Sequence, residues 1–424
     1  MNIKNDKQRY FQLILLVLSA GSIYPLLYLR TNFQTPMLEV FNINLAQLNE
    51  LYALIGMMFV IGYAPSGWLC DKFSTKKLIT FSLVTTGLLG IYMTKIPSFY
   101  MMKTIFILWG FTGVFTFWGA LLKGVKLLAR EDEQAKFFGI LDGGRGITEA
   151  VLATIAMSIF SFFSRNGLAT KTALINVIYM YSLFCIILSI ANYFFLKDNT
   201  LEKDNNIIKQ VKSNIFSEIS MTFKNKRVIL LALIIFSGYT LSWTTYSFSG
   251  YLTSKYETST IVAGYISVII LWLRPLGGIG GGFLGDKKGR TYVLKVAMIT
   301  ASASLGLIVF LPSSMSLIVT SIFFIIFGFS QYVIKALYWS LLDDCKVPVF
   351  ILGLSIGIIS FIGYLPDLVS PLFSKILFDI FPNETQAYSI YFLISSLMGI
   401  VGVVSILFFE KSMIEKQQFV TSGT

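Results

Sequence analysis

Asp142, Arg145 and Glu149 stand three and four residues apart inside one long apolar stretch, a spacing that places all three on one face of a helix. Such a trio has two uses. The charges can neutralise one another, which lowers the cost of carrying them among hydrocarbon. Alternatively, an incoming anion can take the guanidinium while Glu149 or Asp142 takes up a proton. Four more cations share this setting: Arg30, Lys123, Arg274 and Lys335 each lie inside an apolar stretch of a chain that is 55% hydrophobic. A charge at bilayer depth costs about 2.5–3.5 kcal/mol on insertion scales. Five cations of this kind point to a shared water-filled cavity, and a cavity lined by fixed positive charge suits an anion.

Each cation has its own chemistry. Arg30, with Gln34 one turn on, presents a planar fork that matches carboxylate, phosphate or sulfonate; the alternative is an arginine reaching for the outer interface. Lys123 shares a helical face with Thr112, Thr116 and Gly119, and Lys335 with Gln331 and Trp339. Each lysine lies about 10–12 Å inside its helix end at 1.5 Å per residue, so each could flank the cavity or reach the headgroups. Arg274 precedes Asp286 by twelve residues, about 18 Å of helix, too deep for that escape; it contacts substrate or pairs with an acid. Tyr239, Ser242, Trp243, Tyr246 and Gly250 form a polar-aromatic stripe suited to a sugar-like or aromatic organic anion, or to helix packing, and Tyr24 and Tyr28 pose the same choice. Asp367, after Pro366, could pair with a cavity cation or carry a coupling proton. The chain has no histidine, so a proton relay must use carboxylates, tyrosines or water.

The elements that position these residues are membrane helices. Only 13% of the residues are charged, against about 25% for a soluble domain. Apolar runs long enough to cross a hydrocarbon core of about 30 Å recur at 10–38, 46–70, 77–96, 100–127, 136–163, 172–196, 228–254, 260–285, 291–312, 315–341, 348–378 and 385–410, which predicts an all-α membrane protein of twelve spans. The first run exceeds the bilayer, and Pro25 and Pro36 permit bends in it. It follows a short polar segment without a small-residue cleavage site and reads as a retained helix.

The net charge of +12 resides largely in loops on one side. Basic clusters such as Lys72/Lys76/Lys77, Lys126/Arg130/Lys136 and Lys287/Lys288/Arg290 follow the positive-inside rule and predict both termini in the cytoplasm, of a bacterial inner membrane. They are topology signals, and no aromatic-basic interleaving suggests nucleic acid. Cys70, Cys185 and Cys345 form no metal pattern, and Cys70 and Cys345, near the cytoplasmic side, are expected as free thiols. No phosphate-cradling loop, nucleophile elbow or metal cluster points to an enzyme or a cofactor.

The polar stretch 197–227 divides two sets of six spans: an N-terminal bundle (1–196), a solvated linker, and a C-terminal bundle with a short tail (228–424). The sets repeat. Gly67-x-x-x-Asp71-Lys72 after span 2 answers Gly282-x-x-x-Asp286-Lys287 after span 8, with the aspartates 215 residues apart; Lys123 and Lys335 are 212 apart, and Gly139 and Gly353 are 214 apart. Duplicated six-helix units enclose a midplane site and rock about it.

This repeated loop, with Lys76 and Lys77 in one copy and Gly289 and Arg290 in the other, resembles the signature of the major facilitator superfamily; Ser74-Thr75 replace the usual glycine in the first copy. Tyr28-Leu-Arg30-Thr-Asn32-Phe33, and Trp118 followed by Lys123, resemble segments of the organophosphate:phosphate antiporters, with lysine in place of arginine in span 4 and no arginine in Gly238–Trp243. Leu122-Lys123, Phe138-Gly139 and Gly144-Arg145-Gly146-Ile147 resemble bacterial permeases of the YihN type. The resemblance implies that Gly67, Asp71, Lys72, Gly282, Asp286, Lys287 and Arg290 form a conformational switch, with Arg130, Glu131 and Glu133 as partners.

Together these features predict a monomeric secondary transporter for a small organic anion such as a sugar phosphate, sugar acid, carboxylate or sulfonate, coupled to protons or a counter-anion. The competing readings are a drug or metabolite efflux antiporter, weakened by a proline-free span 5, and a transporter-like membrane sensor.

Overall fold

The computed structural model describes residues 6–130, 133–165, 169–197, 215–312, 317–348 and 351–421. All regular structure among them is helical. The predicted spans appear in order: α1 (Asp6–Leu27) with α2 (Arg30–Phe41), α3 (Leu45–Lys72), α4 (Thr75–Met93), α5 (Phe99–Gly110) with α6 (Trp118–Leu128), α7 (Gln134–Arg165) and α8 (Thr170–Phe195). A short α9 (Ile215–Lys224) precedes α10 (Lys226–Thr244) with α11 (Phe248–Tyr256), α12 (Thr260–Lys288), α13 (Arg290–Phe310), α14 (Leu317–Leu337), α15 (Leu352–Gly363) with α16 (Pro366–Ile380), and α17 (Glu384–Thr421). Eleven helical stretches among the described residues are long and apolar enough to cross a membrane. The twelfth predicted span is α4, whose first turn carries the lysines 76 and 77. The stretch expected to be a solvated linker contains α9, with Thr222 fully buried on Ser355; residues 198–214 lie outside the described ones.

Several spans are interrupted, and the cause is local. Pro36 has no N–H for the carbonyl of Asn32, and Phe33 in that turn departs from helical geometry (φ −128°, ψ 30°). Just before Arg30 the chain turns between α1 and α2. A π-helical segment, Phe111–Thr116, separates α5 from α6, a 3-10 turn at Thr245–Ser247 separates α10 from α11, and Pro366 restarts the helix after α15. Such breaks are tolerated at membrane depth where protein or a cavity satisfies the freed backbone groups.

Two compact units are present. The first comprises Met1–Glu202, Tyr246–Pro275 and Asp367–Ala387; the second comprises Lys203–Thr245, Leu276–Pro366 and Tyr388–Thr424. The first unit thus takes in parts of spans 7, 8 and 11 that the predicted two-bundle division assigns to the C-terminal half. Within it α1 packs on α7 and α4 on α8; within the second, α13 packs on α14 and α10 on α15.

The sequence repeat has a structural counterpart at the start of each set of spans. Arg9 donates from Nε to the Leu128 carbonyl at the end of α6 (2.9 Å), and Gln12 donates to the Phe195 carbonyl at the end of α8 (2.6 Å). In the second unit one residue serves both purposes: Arg227 donates to the Asp344 carbonyl (2.9 Å) and to the Ser412 carbonyl (2.5 Å). A helix end cannot satisfy its last carbonyls internally, and in the first set side chains of α1 do it; in the second set Arg227 instead reaches a 3-10 turn, Asp343–Cys345, and the body of α17.

Candidate functional site

In the first unit α7 brings Arg145 and Glu149 together, Nε to Oε1, at 2.8 Å. The other Glu149 oxygen accepts from Arg274 Nη1 of α12 at 2.5 Å, and Arg274 Nη2 reaches Asp142 Oδ1 at 2.9 Å. Of the intrahelical ladder predicted from spacing, the Arg145–Glu149 rung is present, whereas Asp142 pairs with Arg274 instead of Arg145, and Glu149 lies between two guanidinium groups. Its side chain is 12% exposed and that of Asp142 is 68% exposed. The two positive and two negative groups sum to zero, with Asp142 completing the balance from the exposed edge of the cluster. Arg145 also lies over the Tyr24 ring at 4.4 Å and the Trp118 ring at 5.9 Å, a cation–π arrangement.

Three glycines make this geometry possible. A Cβ on Gly21 would sit 2.4 Å from Thr148 Cβ, and one on Gly144 would sit 2.6 Å from Val17 Cγ1, so α1 and α7 cross at these points and Tyr24 comes under Arg145. A Cβ on Gly146 would sit 2.9 Å from Arg274 Cδ. Any larger residue there would push the Arg274 side chain from its path across α7 to the two carboxylates.

Arg30 is 1% exposed. Its Nη1 donates to Asn49 Oδ1 (2.7 Å), its Nη2 to Gln34 Oε1 (3.1 Å), and its guanidinium lies over the Tyr52 ring at 4.9 Å. Asn49 in turn donates to Ser374 of α16 (3.1 Å). The outward-reaching alternative does not describe this residue, and a ligand reaches it only if the cage opens. Beside it Tyr28 stacks on Tyr246 (centroids 4.8 Å, 11°) and on Tyr52 (5.7 Å). Asp367 is fully buried in the first turn of α16, where α3 approaches so closely that a Cβ on Gly56 would overlap the Asp367 carbonyl oxygen, 1.9 Å away. Asn49, Tyr52 and Ser374 escaped the sequence reading. The one signal was a lone asparagine in the apolar run 46–70.

The predicted Lys123 face turns towards α3 and α4. Thr112 bonds Thr86 (2.8 Å), Thr116 bonds Ser82 (2.6 Å), Gly119 donates to Ser66 (2.9 Å), and Lys123 Nζ donates to the Cys70 carbonyl (2.5 Å). The four residues thus contact the same pair of neighbouring helices even though the two threonines lie in the π segment.

In the second unit Lys335 Nζ lies 5.4 Å from the Tyr239 ring. Gln331, on its face as predicted, donates to Ser242 (2.7 Å), and Trp243 is 3% exposed. Trp339 donates to the Tyr364 hydroxyl (2.8 Å) and Tyr364 meets Tyr239 edge-on (4.9 Å). Tyr364 was not identified from sequence.

Of the predicted switch residues, Arg290 donates to the Ser340 carbonyl (2.5 Å) and lies 3.5 Å from Asp344. Lys72 lies over Trp68 (4.0 Å) and Lys287 over Phe283 (4.4 Å). Asp286 is exposed, and neither Gly67 nor Gly282 has a neighbour that a Cβ would strike. Arg130 pairs with Asp6 at 2.8 Å. Glu133 pairs with Arg9, and that hydrogen bond holds its carboxyl below its ordinary value. Gly353 lies in the first turn of α15, and the Asp71 side chain and Glu131 lie outside the described residues.

The major facilitator superfamily model matches residues 10–403. Inner membrane protein YqcE of Escherichia coli K12 is 30% identical over 415 residues, covering 96% of each chain, and inner membrane protein YihN of the same organism is 27% identical over 421 residues, covering 98% and 99%. Among solved structures, the nucleoside transporter NupG superposes with a TM-score of 0.70 at 14% identity over 97% of this chain and all of that one. An inward-facing bacterial homologue of the human lysosomal transporter Spinster reaches 0.72 at 13% identity, over 97% and 98%. At that identity the likeness shows the fold.

Proposed function

This chain belongs to the major facilitator superfamily and is a multi-pass membrane transporter, and we propose that it moves a small organic anion by alternating access. The observation that carries this reading is Glu149, held between Arg145 and Arg274 at 2.8 and 2.5 Å. The carboxylate occupies the position that a substrate carboxylate, sulfonate or phosphate would take between two guanidinium groups. An anion that claims Arg145 brings a net negative charge into a site that is otherwise balanced, and a proton on Glu149 restores the balance. Substrate and proton then travel together. A divalent or bulky anion that leaves Glu149 ionised would instead exchange for another anion. Asp367 is the second buried acid available for a coupling proton. The proposed setting is a bacterial inner membrane with both termini in the cytoplasm, the protein acting as a monomer.

Uptake into proteoliposomes tests the reading with labelled sugar phosphates, sugar acids, sulfonates and dicarboxylates, with and without an inward proton gradient. Glu149→Gln imitates the protonated acid. It is expected to keep anion counterflow and to lose accumulation driven by the gradient, while Arg145→Ala loses both. Gradient-driven accumulation that persists in Glu149→Gln, or uptake confined to cations, overturns the proposal.

A further inference from the structure

The sequence left Tyr24 between ligand contact and helix packing, and its surroundings point to a third role. Tyr24 is buried. The Arg145 guanidinium lies over its ring at 4.4 Å. Its hydroxyl donates to the Gly113 carbonyl at 3.1 Å, and Phe59 and Phe117 meet the ring edge-on at 6.5 and 6.3 Å. The ring is thus fixed at its tip and against two neighbouring rings, with the cation on its face.

The anchor of that ring lies in the π segment Phe111–Thr116, where the regular α pattern of backbone hydrogen bonds is interrupted. Gly113 allows the approach, since a Cβ there would stand 3.1 Å from both Leu27 Cδ2 and Phe59 Cε1. Trp118 begins α6 just beyond the segment and puts a second ring 5.9 Å from the same guanidinium. The π segment therefore bears on Arg145 twice, once through the Tyr24 hydroxyl and once through Trp118. A ring attracts a cation through its face and needs none of the in-plane N–H donors that recognise an oxyanion. It can hold Arg145 without competing with a substrate for those donors.

We propose that Tyr24 is a positioning residue: its ring keeps the Arg145 guanidinium in the site while Glu149 carries a proton and no anion has yet arrived. At that stage the carboxylate that orients Arg145 at 2.8 Å has lost its charge. A side chain as long as arginine then gains rotamer freedom that binding must remove again, unless a neutral partner restrains it. With Glu149 ionised the carboxylate itself provides the restraint, so Tyr24 matters most when the acid is neutral. Trp118, at the longer distance, plays the smaller part. The proposal rests on the organic-anion reading and adds to it how Arg145 stays available between proton uptake and anion binding.

NMR of the full-length protein in detergent, with isotope-labelled arginine, tests it. The Arg145 Nε–H signal is identified by its absence from Arg145→Lys. Ring currents should displace that signal in the wild type and in Glu149→Gln, which imitates the protonated acid. Tyr24→Leu should abolish the displacement in Glu149→Gln, and Tyr24→Phe, which keeps the ring, should retain it. The transport arm uses proteoliposome counterflow of labelled glucose 6-phosphate, glucuronate, isethionate and succinate. For those the wild type exchanges, Tyr24→Leu should raise KM about tenfold more in the Glu149→Gln background than in the wild type, the size of a desolvated cation–π contact. Tyr24→Phe should reverse that excess. Thermal unfolding of each variant establishes that it is folded. Should Tyr24→Leu fail to fold, a trifluorinated phenylalanine in place of Tyr24 removes the negative ring face at nearly constant shape and carries the same expectation. A signal unmoved by Tyr24→Leu in Glu149→Gln, or a KM raised equally in both backgrounds, as a purely structural role would give, overturns the positioning role. The organic-anion reading survives that failure if counterflow is lost in Arg145→Ala. If the wild type exchanges none of the four anions, that reading fails and the positioning role fails with it.

Discussion

Removing Glu149 should destabilise the protein far more than removing Glu149 and Arg274 together would suggest. The Glu149 carboxylate lies 2.8 Å from Arg145 Nε and 2.5 Å from Arg274 Nη1, so the charge centres are separated by about 4 Å. At an effective dielectric of about 20, each pair is worth roughly 4 kcal/mol before desolvation. Desolvation of the ions offsets much of that gain, but truncating one partner of a buried pair still costs about 3–5 kcal/mol, because the other charge is left behind. Glu149→Gln leaves Arg145 without its carboxylate and Arg274 with Asp142 alone. Arg274→Gln leaves Asp142 and Glu149 facing Arg145. The double variant Glu149→Gln, Arg274→Gln removes one charge of each sign and keeps Asp142 and Arg145 in balance. Reversible unfolding in mixed micelles, followed by circular dichroism, should return a coupling energy of about 2 kcal/mol or more. An ordinary hydrogen bond between membrane helices gives about 0.6 kcal/mol in such cycles, so the two interpretations separate. Costs that add to within about 0.5 kcal/mol would refute the shared-carboxylate argument.

Gly146→Ala gains about 1 kcal/mol of helix propensity but drives a methyl to 2.9 Å from Arg274 Cδ, so it should destabilise the wild type and stabilise an Arg274→Ala background; stabilisation in both would show that Arg274 does not need the space. The Glu133 carboxyl is lowered chiefly by its hydrogen bond from Arg9, so its contribution is present above the ordinary value of 4.5 and lost as pH falls through the lowered folded value. The melting temperatures of wild type and Glu133→Gln should differ at neutral pH and converge on acidification below 4.5; a gap that stays constant from pH 7 to about pH 3 would exclude the pair as its source.

Helix count and order were legible because long apolar runs admit few alternatives in a bilayer. The positions of charge were legible for the same reason, but not their partners. Arg145 and Glu149 are i, i+4 neighbours, and their pairing follows from spacing alone. Arg274 is 125 residues from Glu149, and nothing local to either indicates that α12 crosses α7 at Gly146. The partners of the Lys123 face were not legible for a different reason: Ser66, the Cys70 carbonyl, Ser82 and Thr86 are uncharged groups of α3 and α4 that carry no mark of the contact in sequence. The cage around Arg30 is built of Asn49, Gln34, Tyr52 and Ser374, and uncharged groups leave little trace in a charge-based reading.

The five cations of the opening pattern therefore do not act alike. Two share carboxylates, one is enclosed by amides, one caps the end of a neighbouring helix at the Cys70 carbonyl, and one lies 5.4 Å from the Tyr239 ring. A transporter must bind its substrate and release it, and a site lined by five unbalanced cations would hold an anion too tightly to let go. On the proposed anion reading, balancing Arg145 and Arg274 with Glu149 would weaken the site by the energy of the pair an anion must displace, and that energy would return when the anion leaves. The acids, more than the cations that first drew attention, would then set how loosely the substrate is held, and exchange at Glu149 would be the step that couples binding to a proton.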